Sequence, residues 1–149
     1  MELKYLVLEG REALLSPLLA VWESSVRATH DFLREGDVDF LRPYVEQGLR
    51  EIPVLLCALK ESRPLAFLGM AEDSIEMLFV HADFRHKGIG STLMREALSL
   101  GARRVDVNEQ NPQALGFYQR FGFEVASRDD VDSLGLPYPI LHCSLPEKA

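Results

Sequence analysis

A basic segment with two glycines is the part of this chain whose residue types point most directly to chemistry. Residues 85–92 read Arg-His-Lys-Gly-Ile-Gly-Ser-Thr, and the apolar residues that follow recur at helical spacing. The first N–H groups of a helix lack partners within it and carry the positive end of its dipole, so they bind anions. Gly88 and Gly90 expose that backbone, and Arg85 and Lys87 add positive charge. The segment predicts a phosphate-binding cradle; the alternative is a glycine-rich turn beside a solvated basic pair.

The order of residues in this segment excludes two common nucleotide-binding motifs. A Walker loop requires Gly-Lys followed by Ser or Thr, and the chain has Lys87-Gly88-Ile89 instead. The dinucleotide motif G-x-G-x-x-G requires a third glycine, and Leu93 stands at that position. The predicted cradle therefore belongs to neither class.

Two blocks of sequence resemble the motifs of the GNAT superfamily of N-acetyltransferases. Within residues 78–90, Arg85, Gly88 and Gly90 match the acetyl-CoA-binding core, Arg/Gln-x-x-Gly-x-Gly/Ala. Residues 111–123 match the next block of that family, Asn-x-x-Ala-x-x-Phe/Leu-Tyr-x-x-x-Gly-Phe. Two blocks in the right order and at the right spacing are more specific than either block alone.

Matches near both ends of the chain are similar to one bacterial branch of the superfamily, whose members are described as peptidyl-lysine N-acetyltransferases. These matches are residues 22–33, WESSVRATHDFL, and residues 135–139, GLPYP. The resemblance thus spans nearly the whole chain. It also implies that the first helix and the loop after it form the acceptor wall, with Trp22, His30, Asp31 and Phe32; a core position is the alternative for Trp22.

The resemblance implies acetyl-CoA as the cosubstrate. The residues that it assigns to acetyl-CoA binding are the strand before the cradle, the cradle itself and one residue of the second block: Leu78, Phe79, Val80, Arg85, His86, Lys87, Gly88, Ile89, Gly90, Ser91 and Asn111. Asn111 would hydrogen-bond the pantetheine arm or order a water there, and a helix N-cap is its alternative role. The histidines and cysteines lack ligand spacing, so no metal site is predicted.

Acetyl transfer from a thioester to an amine requires a hydrogen-bond donor for the oxyanion, a proton for the leaving thiolate and a neutral amine. The resemblance assigns the oxyanion to the backbone N–H of Val80 or its neighbour, exposed where the strand around residues 78–80 bulges away from its parallel partner. It assigns the general acid to Tyr118, whose ordinary pKa of about 10 is close to the ~8.5 of a thiol. Tyr118 lies seven residues after Asn111, so both project to one side of a helix. Core positions are the alternatives in both cases.

The base that deprotonates the amine is left open by the sequence. Glu76 lies four residues before Val80 and therefore on the same strand face by period two, which makes it the preferred candidate. Asp106 lies on the neighbouring strand, at a position where some relatives carry a glutamate used as a base. Either carboxylate could act directly or through water, and His30 and His81 have a suitable ordinary pKa. The alternative for each carboxylate is a solvated surface position.

The apolar patterns predict a mixed sheet with helices on both faces, an α/β (α+β) architecture. Strands are predicted at 3–8, 54–59, 64–71, 75–80, 103–107, 123–127 and 139–145, and helices at 11–28, 38–50, 88–100 and 112–120. Asp37 is predicted to cap the second helix, and Pro17 to mark a kink or a restart of the first. The strand–helix–strand unit over 75–107 requires a parallel crossover. The resemblance implies the GNAT fold, with six or seven strands, about four helices and two parallel central strands that splay apart to admit the cosubstrate.

Bulk properties fit one soluble domain over residues 1–149. The chain is 47% hydrophobic and 26% charged, with a net charge of −7, which argues against nucleic-acid and anionic-membrane surfaces. The charge fits a cationic acceptor; the alternative is an acidic balance of the kind that is common among soluble proteins. No apolar run reaches the ~20 residues of a membrane span, and no signal peptide is evident, so the cytoplasm is expected. Cys57 and Cys143 are expected to be reduced core thiols.

These observations together predict an acetyl-CoA-dependent N-acetyltransferase that acts on a primary amine, with a protein lysine side chain as the preferred acceptor. One alternative is a small-molecule acceptor such as an antibiotic, a polyamine or an amino acid. The other is a CoA-binding regulatory module without turnover, which the presence of Tyr118 disfavours. The sequence leaves a homodimer open.

Overall fold

The structure, a computed structural model, describes residues 1–29, 33–34 and 36–147. The strands are β1 (Glu2–Tyr5), β2 (Val54–Lys60), β3 (Arg63–Ala71), β4 (Ser74–Val80), β5 (Arg104–Asn108), β6 (Glu124–Asp129) and β7 (Ile140–Ser144). The helices are α1 (Leu15–Thr29), α2 (Asp37–Glu51), α3 (Ile89–Ser99) and α4 (Pro112–Arg120). None of the described helices is long and apolar enough to cross a bilayer.

One sheet joins all of these strands in the order β1-β2-β3-β4-β5-β7-β6. Strands β1 to β4 form an antiparallel meander, and β5, β7 and β6 form a second antiparallel unit. The two units meet at β4 and β5, which are parallel and connected through α3. The predicted mixed sheet and its parallel crossover are therefore confirmed.

Helices cover the two faces of the sheet and bury a separate core on each. The first core lies under α3 and α4 and includes Leu93, Met94 and Val105. The second lies under α1 and α2 and includes Leu18 and Leu49. Because successive side chains of a strand point to opposite faces, the central strands contribute to both cores. The sheet between them carries the functional site at its centre.

The N-terminal elements differ from the prediction in three places. Strand β1 ends at Tyr5 because the chain turns into a 3₁₀ turn at Leu8–Gly10. A 3₁₀ turn at Glu12–Leu14 precedes α1, and Pro17 lies in the first turn of α1, where a helix needs no N–H donor, so the helix begins later than predicted and the restart alternative for Pro17 is correct. Gly36, with φ of 89°, precedes α2 as its cap, and Asp37 is the first helical residue. The prediction of Asp37 as the cap is therefore wrong.

The buried side chain of Arg11 ties the end of α2 to the sheet. It is 2% exposed. Its guanidinium donates to the carbonyl oxygens of Leu6 at 3.1 Å, Leu49 at 3.1 Å and Ile52 at 2.6 Å. The last carbonyls of a helix have no partners within it, so Arg11 satisfies groups that burial would otherwise leave unpaired. It thereby fixes α2 against β1 and β2.

Candidate active site

The parallel pairing of β4 and β5 is short, and the two strands then separate. Only Ser74 with Arg104 and Ile75 with Val105 are paired, although β4 continues to Val80. The separation opens a groove of about 690 Å³, lined by both strands and by residues of α1, α3 and α4. The predicted splay of the two central strands is present.

A bulge in β4 lies at the base of this groove. The register with β3 shifts between the pairs Met70–Ile75 and Gly69–Met77, which leaves Glu76 as the extra residue. A Cβ on Gly69 would lie 2.7 Å from the Met77 methyl carbon, so glycine makes room for the displaced side chain. Residues 78–80 pair regularly with β3 and lie beyond the last pair with β5, so this part of β4 bulges away from its parallel partner as predicted. The extra residue also breaks the period-two relation between Glu76 and Val80.

Backbone donors of β4 face the groove beyond the bulge. The His81 N–H donates to the Leu65 carbonyl at 2.8 Å, and Val80 pairs with Ala66. Hydrogen-bonded and non-hydrogen-bonded pairs alternate along an antiparallel ladder, so Phe79 bonds to β3 while the Leu78 and Val80 N–H groups point the other way. That direction is the side from which β5 has separated. The Val80 N–H is therefore directed into the opening.

The cradle lies at the start of α3, as the glycine pattern predicts. Gly88 precedes the helix with φ of 80°. The first bond within the helix runs from the Thr92 N–H to the Gly88 carbonyl at 3.0 Å, so the three N–H groups of residues 89–91 have no partner within the helix. No acidic residue stands in its first turn. This end of the helix is thus suited to an anion.

Basic side chains of the cradle segment lie beside the groove in different ways. Arg85 lines the groove, and its Nη2 donates to Gln113 Oε1 at 3.1 Å, which joins the segment to the start of α4. Lys87 is exposed, with its Nζ 5.7 Å from the centre of the Phe84 ring, and does not line the groove. His86 also lines the groove, and its backbone is in the left-handed region with φ of 63°. Of the predicted cosubstrate residues, Lys87 is the one that stands apart.

Tyr118 lies in the groove wall at α4. Its side chain is 8% exposed, and its ring packs edge-on against Phe117 and Phe123 at centroid distances of 5.3 and 6.0 Å. In the described residues its hydroxyl has no hydrogen-bond partner, and no described polar side-chain atom is both enclosed and unpaired, so the hydroxyl opens toward the groove. Burial raises the pKa of the Tyr118 phenol. The group therefore keeps its proton, as a general acid must; its role stays a prediction.

Asn111 caps α4. Its Oδ1 accepts the Ala114 N–H at 3.2 Å, and the side chain is 8% exposed at the groove. The N-cap alternative is therefore correct, and a contact with the cosubstrate stays a prediction.

Two candidate carboxylates lie where the groove meets a second cavity, on the sheet face away from α3. Glu76 and Asp106 line both cavities. Asp106 Oδ1 lies 2.7 Å from His142 Nδ1, and His142 Nε2 lies 2.7 Å from Asp129 Oδ2. These two hydrogen bonds, first Asp129 and then Asp106, raise the pKa of His142. Sequence reasoning missed His142, because its pairing with Asp106 depends on the register of β5 and β7.

The other candidate residues lie elsewhere. His81 caps the 3₁₀ turn at Ala82–Phe84, where its Nδ1 accepts the Asp83 N–H at 3.1 Å, and it does not line the groove. Trp22 is 3% exposed in the core under α1 and α2, so its core alternative is correct. His30, Asp31 and Phe32 lie outside the described residues.

Ser25 and Thr29 of α1 and Gln113 of α4 line the groove and were not predicted. Ser25 and Thr29 lie within residues 22–33, which the resemblance assigns to the acceptor wall, but small polar residues on a helix usually face solvent, so the sequence singles out neither of them. Within the described ranges, no group of His, Cys, Asp and Glu is placed to hold a metal ion.

A sheet that opens over a helix N-terminus, with a buried phenol at the opening, is the arrangement that the sequence motifs predict for an acetyltransferase. Residues 53–125 match the family described as the acetyltransferase (GNAT) domain. The peptidyl-lysine N-acetyltransferase YjaB of Salmonella typhimurium is 40% identical over 130 residues, which cover 87% of this chain and 90% of that protein. The chain belongs to the GNAT acetyltransferase family, as its motifs predicted.

Solved structures agree with this assignment. The solution structure of apo YjaB from Escherichia coli has a TM-score of 0.83 at 37% identity and covers 97% of each chain. The PaiA N-acetyltransferase of Thermoplasma acidophilum, solved in complex with coenzyme A, has a TM-score of 0.65 at 22% identity, covers 95% of this chain and 98% of that one, and is similar in fold alone.

Proposed function

We propose that this protein transfers the acetyl group of acetyl-CoA to the side-chain amine of a lysine in a protein. The observation that carries the proposal is the groove between β4 and β5, which leads from unpartnered N–H groups at α3 to the hydroxyl of Tyr118. Acetyl-CoA supplies an activated acetyl thioester. Family membership supports the chemistry, and the name of the YjaB relatives supports the acceptor.

The residues present fit a coenzyme A diphosphate. The N–H groups of Ile89, Gly90 and Ser91 would bind its oxygens, with the helix dipole adding to the attraction. Gly90 lies between Phe117 and Val80, where a Cβ would make ordinary van der Waals contacts at 3.7 Å, so space alone does not require glycine at this position. Arg85 supplies a positive charge at the same end of the groove.

Acyl transfer in this groove assigns one task to each of three groups. The Val80 N–H would donate to the carbonyl oxygen as its negative charge develops. The amine nitrogen forms a bond to the acetyl carbon, the carbon–sulfur bond breaks, and the sulfur takes the proton of Tyr118. The proton that the amine loses goes to Glu76 or Asp106, directly or through water. Both carboxylates are acidic groups that line the groove.

A protein lysine suits the charge of the molecule. The net charge is −7, and a cationic side chain is attracted to such a surface. We further propose that residues 1–149 act as one domain, because one sheet carries both cores. The two buried free thiols, Cys57 and Cys143, support a reducing compartment such as the cytoplasm.

Free-thiol release from acetyl-CoA tests the proposal, with a lysine peptide, an α-amine peptide that lacks lysine, spermidine and an aminoglycoside as acceptors. We expect the lysine peptide to have the highest kcat/KM and mass spectrometry to locate the acetyl group on its side-chain nitrogen. A higher kcat/KM for spermidine or the aminoglycoside would replace the lysine assignment by the small-molecule alternative. If the protein binds coenzyme A but releases no free thiol with any of these amines, the alternative of a CoA-binding regulatory module would replace the proposed enzyme.

A further inference from the structure

Ser25 is a buried hydroxyl that the chemistry above does not use. It lies on α1, is 7% exposed, and lines the groove. A serine inside a helix commonly bonds to the carbonyl four residues before it, and a buried hydroxyl without a partner is costly. In the part of the chain that the structure describes, the Ser25 Oγ has no hydrogen-bond partner, and no polar side-chain atom is both enclosed and unpaired. The hydroxyl is therefore open to the groove.

The neighbouring serine shows where this turn of α1 lies. Ser24 Oγ accepts the Ala82 N–H at 3.0 Å, two residues after Val80. That hydrogen bond fixes α1 to the end of β4. Ser25, the next residue, lines the groove together with Val80, whose N–H is the proposed donor to the acetyl oxygen.

Ser25 and the cradle lie on opposite faces of the sheet. Helices α3 and α4, with the cradle and Tyr118, pack on one face, and α1 packs on the other. A nucleophile approaches a carbonyl carbon from above or below the plane of the acyl group. A thioester held from the α3 face would meet the amine from the α1 face, which is the side from which Ser25 lines the groove.

We propose that the Ser25 hydroxyl binds the acceptor amine and orients it for attack; this inference rests on the proposed function. A hydroxyl accepts one N–H of the amine while the nitrogen lone pair points to the acetyl carbon. The ligand that suits this position is a primary amine, which is the acceptor of the proposed function. Ser25 acts on the acceptor and not on acetyl-CoA.

The Ser25→Ala variant tests this role through steady-state kinetics with a lysine peptide at saturating acetyl-CoA. We expect kcat/KM for the peptide to fall about tenfold, the usual effect of losing one hydrogen bond. The Kd for acetyl-CoA, measured by calorimetry, and the Tm should match the wild type. The Ser25→Thr variant keeps the hydroxyl and should recover most of the activity. Ser99→Ala, an exposed serine of α3 bonded to the Glu96 carbonyl, is the matched control.

Two outcomes would overturn the assignment: an unchanged peptide kcat/KM in Ser25→Ala, or an equal loss of acetyl-CoA affinity. Should Ser25→Ala fold poorly, Ser25→Cys replaces it, since a thiol of similar size hydrogen-bonds weakly and should show the same tenfold loss. Wild-type protein that is inactive with every amine would refute the proposed function, and the inference with it. An active wild type with an unaffected Ser25→Ala refutes the inference alone.

Discussion

At the scale of residues, the hydroxyl of Tyr118 allows general-acid catalysis to be tested separately from coenzyme A binding. Tyr118→Phe removes the hydroxyl and keeps the ring contacts with Phe117 and Phe123. We expect kcat to fall by about 10²–10⁴, the usual contribution of a general acid, while the Kd for coenzyme A stays the same. Tyr44→Phe, at an exposed tyrosine of α2, is the matched control. Full activity of Tyr118→Phe at saturating acceptor would remove the phenol from the mechanism.

Glycine at the start and at the end of α3 allows the cradle to be tested apart from stability. Gly88 has φ of 80° and Gly101 has φ of 98°, and a Cβ at either would meet nothing within 4 Å. Both alanine variants should lower the unfolding free energy by about 1 kcal/mol, because the left-handed backbone disfavours a side chain. Only Gly88→Ala should raise the Kd for coenzyme A in calorimetry. Equal Kd values for the two variants would count against the cradle.

At the scale of residues, the sequence predicts those that belong to contiguous motifs. The cradle glycines and Tyr118 stand in blocks whose spacing is local, so they could be placed before the fold was known. Ser25 and His142 could not, because each depends on a partner distant in sequence. The position of Ser25 matters only because α1 packs beside β4 and its groove. The position of His142 matters because its ring is bonded to Asp106, 36 residues away.

At the scale of elements, the exposed face of β5, β6 and β7 carries a row of three hydrogen-bonded titratable side chains, one from each strand. His142 is bonded to Asp129 and Asp106, which raise its pKa. The protonated form is therefore stabilised by folding. That stabilisation is fully present below the ordinary histidine pKa of ~6.5 and is lost as the pH rises through the raised value. Its size is modest, because the imidazole is partly exposed.

Thermal melts of the wild type and of His142→Gln test this dependence between about pH 5 and pH 9, a range that includes the ordinary histidine pKa. We expect the wild type to be the more stable at the acidic end and the difference in Tm to shrink at the alkaline end. His86→Gln, at an exposed histidine, is the control. A difference that is constant over the whole range would contradict the prediction.

The end of α2 depends on Arg11. Replacing Arg11 by Ala leaves the Leu49 and Ile52 carbonyls without their donor and opens a cavity, so we expect a loss of about 2–4 kcal/mol in the free energy of unfolding. Arg50→Ala removes an arginine whose ion pairs with Glu12 and Glu46 are exposed and should cost less than about 1 kcal/mol. Urea unfolding of both variants gives the comparison. Similar losses would mean that the buried carbonyls find other partners.

Strands and helices could be predicted because their apolar periods are local. The bulge of β4 could not, since it is defined by the register with β3 and by the space above Gly69. The capping of α2 was misjudged for a related reason. The Asp37 side chain accepts hydrogen bonds from the Arg34 N–H and the Tyr138 hydroxyl, and Tyr138 lies 101 residues further along the chain.

The whole molecule is acidic, and its field should act on the acceptor. We expect KM for a lysine peptide with basic flanking residues to rise as salt increases from about 0.05 M to about 0.5 M, because screening shortens the reach of surface charges. The same lysine between acidic residues should show the opposite or no trend. Initial rates at several salt concentrations provide the measurement. Identical salt dependence for both peptides would mean that net charge does not select the acceptor.

At this scale the mixed sheet followed from the strand–helix–strand crossover, which permits few topologies. The position of β7 between β5 and β6 could not be predicted. The last strand could lie at the edge beside β6 or be inserted between β5 and β6, and its apolar periodicity is the same in both orders.

Because β4 and β5 are paired over a short stretch, a small tilt at that pairing becomes a larger displacement at the far end of β4. Two residue pairs join the strands, beside the ion pair of Asp73 with Arg104 at 2.7 Å. The five residues of β4 beyond them, Glu76 to Val80, extend about 16 Å, so a tilt of about 5° at the base moves the tip by roughly 1.4 Å. Displacements of about 1 Å can slow a positioned reaction a hundredfold. Substitutions at the two residue pairs that join β4 and β5, or at the Asp73–Arg104 ion pair, are remote from every reacting atom and should nevertheless lower kcat.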